Sequence, residues 1–126
     1  MTDARTKRQP HVVEIKAEGD TVAVKIVGPV IEANRAQMIL DDVGRALEAA
    51  GSGLRFMVLD FAEVTFINST GIGICFQLGN RAKAQGALPV LYRLTQDVNE
   101  IFTRCRADAV YTIVQTKDEL ARLLAD

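Results

Sequence analysis

A chain of 126 residues with 48% hydrophobic and 25% charged side chains has the make-up of a globular domain, not of a disordered or fibrous chain. Its formal net charge of -1 argues against nucleic acid as a partner, because binding through phosphates needs a basic face. The polar stretch 1–10 lacks an apolar core, so it is expected to be a disordered N-terminal tail, neither secretory signal nor membrane span, and direct membrane insertion is not expected.

Val12 to Glu18 and Thr21 to Val27 read as two strands around the turn pair Gly19-Asp20, an opening hairpin closed by Gly28-Pro29. From about Asn34 the period lengthens. Ala36, Ile39, Leu40, Val43, Ala46, Leu47 and Ala50 recur at helical spacing until Gly51-Ser52-Gly53 stops them. Leu54 to Leu59 is nearly continuously apolar, as a central strand covered on both faces should be.

A second helix follows Asn68-Ser69-Thr70 and runs to about Gln85, closing at Gly86. Leu88 to Tyr92 is the next strand. Thr95 is expected to cap a third helix, with Val98, Ile101, Phe102 and Cys105 on one face. Val110 to Val114 is a short strand, and Thr116 caps a last helix carrying Leu120, Leu123 and Leu124. The order is ββαβαβαβα. The strands joined by crossover helices should be parallel. Cys75 and Cys105, 30 positions apart on apolar helical faces, are expected to be buried free thiols, in keeping with a cytoplasmic location. Neither has a Cys or His at metal-ligand spacing, and His11 has no catalytic context, so no metal, cofactor or enzymatic activity is expected.

The chemistry concentrates at Val64-Thr65-Phe66-Ile67-Asn68-Ser69-Thr70-Gly71-Ile72-Gly73-Ile74. An apolar β-rich segment ends in three small polar residues and passes through two glycines into a helix. This junction presents hydroxyls at the positive end of a helix dipole, where phosphate is well tolerated. One of Asn68, Ser69 and Thr70 can serve as the helix cap, leaving the others without that task. On a helical wheel Gly71, Ile74, Cys75, Leu78, Ala82 and Gln85 face the sheet, while Ile72 and Phe76 point away. Those two either lie under a neighbouring element or form an apolar docking patch beside Ser69. Gly71 and Gly73 leave the first turn bare, so a backbone or a phosphate can come close. Asp60 and Glu63 do not make an acid–base pair: Asp60 closes a core strand and Glu63 is solvated.

From Leu59 through Ala84, ending in Gly79-Asn80-Arg81-Ala82-Lys83-Ala84-Gln85-Gly86, the chain resembles the STAS domains, and among them the bacterial anti-sigma factor antagonists. The element order extends the resemblance from about Val12 to Leu124. It implies a single STAS domain over residues 11–126, an α/β fold with a mixed sheet (N-terminal hairpin, then βα units) covered mainly on one face by about four helices. It further implies that a cognate serine kinase, itself the anti-sigma factor, phosphorylates Ser69, with Thr70 the adjacent hydroxyl. Asn68, Ser69, Thr70, Gly71, Ile72, Gly73 and Phe76 would meet that partner. Two positions depart from the family pattern. Asn68 stands where an Asp is usual, and Gly28-Pro29-Val30-Ile31 lacks the acid often found shortly after its Gly. These departures suit an alternative role as a non-phosphorylated subunit of a stressosome-like assembly or a lipid-transport complex. The oligomeric state is not fixed by the sequence.

Overall fold

The computed structural model describes residues 12–125; the tail expected over 1–10, and His11, lie outside the described residues. In chain order the elements are β1 (Val13–Glu18), β2 (Thr21–Ile26), β3 (Val30–Ile31), α1 (Ala33–Ala50), β4 (Phe56–Asp60), β5 (Phe66–Ile67), α2 (Ser69–Ala84), β6 (Leu88–Tyr92), α3 (Gln96–Arg104), β7 (Thr112–Val114) and α4 (Lys117–Ala125). Strands β1-β2-β4-β6-β7 form one sheet in that order, while β3 and β5 pair separately. The β1–β2 hairpin is antiparallel and every other pairing is parallel.

Alternation along the strands sorts the core into two layers. Val22, Val24 and Ile26 of β2, Met57 and Leu59 of β4 and Leu91 of β6 turn to one face, where they meet Ile39, Val43 and Leu47 of α1, Ile74 and Leu78 of α2 and Val98 and Phe102 of α3. Val58, Val90 and Tyr92 turn to the other, where Leu120, Leu123 and Leu124 of α4 pack on them. Three helices therefore cover one face and the last helix part of the opposite one. Thr116 and Glu119 fasten α4 with a capping box: the Glu119 amide donates to Thr116 Oγ1 at 3.1 Å, and Glu119 Oε1 accepts from the Gln115 and Thr116 amides.

Two expectations are corrected. Cys105 is exposed, because it sits at the C-cap of α3, past the last turn that faces the core. Thr95 is the N-cap residue of α3, but its hydroxyl makes no cap bond and donates instead to the Val64 carbonyl at 2.8 Å, pinning α3 to the segment before β5. Cys75 is buried as expected, and burial alone pushes its thiol up to about 12.

Helix α2 sits unusually close to its neighbours. A Cβ on Gly71 would lie 2.7 Å from Ile67 Cγ1 and 2.8 Å from Ile31 Cγ2, and one on Gly79 would lie 2.7 Å from Val110 Cγ1 and 2.9 Å from the Tyr111 ring. Gly73, in contrast, faces open space. Gly79→Ala should accordingly cost about 1–3 kcal/mol through overpacking, whereas Gly73→Ala should gain about 0.5–1 kcal/mol from helix propensity. Urea denaturation of the two variants beside the parent checks both signs.

Candidate functional site

The site grows from two short parallel strands. Val30 and Ile31 pair in register with Phe66 and Ile67, and each strand runs directly into a helix. Glu32 is the N-cap residue of α1 and Asn68 that of α2. The Asn68 amide donates to the Ile31 carbonyl at 3.1 Å, so the register continues to the caps and sets two helix N-termini side by side. Each contributes about half a positive charge.

Asn68 fills the capping role left open among the three polar residues. Its Oδ1 accepts from the Gly71 amide at 2.9 Å and its carbonyl accepts from the Ile72 amide at 3.0 Å. Ser69 and Thr70 are exposed and free of that duty. As the first two helical residues, they also carry amides with no carbonyl one turn back inside the helix. Gly71 is bare for an internal reason, the contact of Ile31 and Ile67 already described. Gly73 is the glycine left open to solvent. Ile72 and Phe76 are half-buried and pack against the rim of the core.

The most exposed apolar side chain beside the junction is one the sequence reading passed over. Phe66 is 49% exposed, against 2% for Ile67 next to it. Its register partner Val30 is half-buried, and Pro29 before Val30 is exposed. Within a run as apolar as Val64 to Ile67, alternation requires some side chain to point outward but does not say which.

The loop beneath is held on every side. Glu63 Oε1 accepts from the Gly28 amide at 2.9 Å and Oε2 pairs with Lys25 Nζ at 3.1 Å. The Gly28 amide first, and Lys25 second, hold the Glu63 carboxyl below its ordinary range. Arg35 donates through Nε to the Val30 carbonyl at 2.9 Å and through its terminal nitrogen to the Val27 carbonyl. Pro29 O accepts from the Thr65 and Phe66 amides at 2.8 and 3.0 Å. Asp60 is engaged elsewhere, in a two-pronged pair with Arg93 at 2.6 and 3.2 Å, so it and Glu63 serve different partners. No group of three or more His, Cys, Asp or Glu among the described residues is arranged to hold a metal ion. No described helix is long and apolar enough to cross a membrane.

A family model described as STAS domain matches residues 12–120. The chain belongs to the STAS domain family. Solved structures place its fold among anti-sigma factor antagonists. One from Planctomyces limnophilus is 20% identical with a TM-score of 0.73, covering 90% of this chain and 95% of that one. One from Mycobacterium paratuberculosis is 16% identical with a TM-score of 0.72, covering 90% and 93%. The Bacillus cell fate determinant SpoIIAA in its phosphorylated form is 12% identical with a TM-score of 0.67, covering 88% and 98%. No curated protein gives a sequence match. At these identities, 12–20%, the likeness is one of fold.

Two measurements test how the junction is built. Asn68→Ala removes the cap and should cost about 0.5–2 kcal/mol, whereas Asn68→Asp keeps the acceptor and adds a charge favoured by the dipole, for a gain of about 0.3–1 kcal/mol. Denaturant midpoints at neutral pH report both. Because the Glu63 carboxyl is lowered in the folded chain, its contribution is complete above its unfolded pKa and disappears as pH falls through the folded one. Glu63→Gln should therefore flatten the acid limb of a stability–pH profile.

Proposed function

We propose that this STAS domain is a partner-switching regulator of the anti-sigma factor antagonist type, which binds a serine kinase that is also an anti-sigma factor and is released when Ser69 is phosphorylated. The observation that carries this reading is the exposure of the Ser69 hydroxyl at an open helix start, with Asn68 alone doing the capping. Thr70 is the neighbouring, secondary hydroxyl. Asn68, Ser69, Thr70, Ile72, Gly73 and Phe76 form the partner surface, exposed Phe66 extends it, and Gly71, buried against Ile31 and Ile67, drops out of it.

Phosphate adds about -1.5 to -2 charges at neutral pH. Two adjacent helix starts accommodate that charge in the free domain. In a closed interface the same phosphate is stripped of water and meets whatever acids the partner presents. A penalty of about 3 kcal/mol weakens binding more than a hundredfold. The free domain needs no refolding, because the loop under the junction is already fixed by Arg35, Glu63 and Pro29.

A second reading, a non-phosphorylated subunit of a stressosome-like or lipid-transport assembly, draws on Asn68 and on Ile31. Ile31 is 1% exposed and packed beneath Gly71, so it offers no charge at the surface.

Incubation with the candidate kinase and ATP, followed by mass spectrometric mapping, separates the two. Phosphate on Ser69 supports the switch; tight kinase binding with unmodified Ser69 and Thr70 leaves only a docking module. In calorimetric titrations Ser69→Asp should weaken partner binding by about tenfold or more, while Ser69→Ala retains it. Phe66→Ala should lower affinity with little change in fold stability, since half of that ring already meets water.

A further inference from the structure

Strand β1 is an edge of the five-stranded sheet, and its residues from Glu14 to Glu18 are all exposed. The Val27 amide donates to the Val12 carbonyl at 2.9 Å, which makes Val12 and Val27 a hydrogen-bonded pair of the antiparallel ladder. Such pairs alternate. With Val13 opposite Ile26 and Glu14 opposite Lys25, the backbone groups of Glu14, Lys16 and Glu18 point inward to β2. The amides and carbonyls of Val13, Ile15 and Ala17 point outward, where no other strand pairs with them among the described residues.

Side chains on this edge are matched to a copy of themselves. We infer that β1 pairs antiparallel with β1 of a second copy, on a two-fold axis through Ile15, joining two sheets into one. In that register Ile15 faces Ile15 of the second copy, and Val13 faces Ala17. The outward backbone groups of those residues then form about six hydrogen bonds. Glu14 falls opposite Lys16 of the second copy, and Lys16 opposite its Glu14. These are the non-hydrogen-bonded positions, where side chains come closest.

Ile15, 36% exposed, supplies the apolar contact on the axis. Charge also selects the register. A slip of two residues one way sets Glu14 against its own copy; the other way sets Lys16 against its own copy and Glu14 against Glu18. Both place like charges opposite one another, which destabilises a strand pair. Lys25, on β2 opposite Glu14 and itself paired with Glu63 at 3.1 Å, lies on the side of β1 away from the edge.

The full chain should show a reversible monomer–dimer equilibrium by sedimentation velocity, weakening as salt rises. Glu14→Lys and Lys16→Glu should each weaken self-association by about tenfold or more when alone. An equimolar mixture of the two variants should recover a dimer, because only between unlike chains does each cation on the edge meet a carboxylate across the axis. Circular dichroism establishes that each variant is folded. If Glu14→Lys unfolds the chain by setting a second cation beside Lys25, Glu14→Gln and Lys16→Gln should still remove the salt dependence. A wild-type chain that stays monomeric at its highest soluble concentration would overturn the inference. So would a dimer indifferent to the single charge reversals, or a mixture that recovers nothing.

Discussion

The fit of α2 against its surroundings governs this molecule. Missing side chains at Gly71 and Gly79 let the helix approach Ile31 and Ile67 at one end and Val110 and Tyr111 at the other. Tyr111 then reaches the helix backbone itself, donating its hydroxyl to the Cys75 carbonyl at 2.5 Å. Burial holds that phenol well above its ordinary range, so it stays a neutral donor. At the C-terminal end Arg81 donates to the Gly44 carbonyl, and Gln85 to the carbonyls of Leu47 and Gly51. α2 thus also closes the end of α1. A helix tied at both ends and along its length moves as part of the core, and its first turn inherits that rigidity.

Rigidity of that turn shapes the mechanism open to the site. A phosphoryl group on Ser69 would act on a frame already fixed by the Ile31–Asn68 backbone bond and by the Arg35 and Glu63 clamps on the β2–β3 loop. Under the proposed switch the signal would be read as charge at a surface, not as a change of shape. This is the economical arrangement for a small domain, since a bistable segment would have to be taken from the low-stability part of the fold.

Much of the architecture was legible in the residues. The hairpin at Gly19-Asp20, the parallel strands after it and the four helices follow from changes of hydrophobic period, from Gly stops and from Thr at helix starts. What was not legible depends on pairing. β3 and β5 are only two residues each, too short to show alternation, and only their mutual hydrogen bonds make them strands. Without that pairing the sequence could not reveal that α1 and α2 begin side by side. Cys105 is exposed, against expectation, because the helical face was extended one residue beyond the end of α3. At the site, the sequence located the hydroxyls but left the cap among three residues, and it passed over Phe66, whose outward direction is set by the β3 register.

That register also bears on position 68. Asn68 supplies the full capping geometry, accepting from Gly71 through Oδ1 at 2.9 Å, so an uncharged amide suffices to build the helix start. What it lacks is only the charge an aspartate would bring. The next position after β3 is Glu32, exposed and making no cap bond with its side chain, and the continued pairing sets it beside Asn68. A carboxylate therefore remains at the paired helix starts, carried by α1 instead of α2. Capping at the start of α2 thus rests on a neutral amide, while the start of α1 carries an exposed glutamate with no capping task.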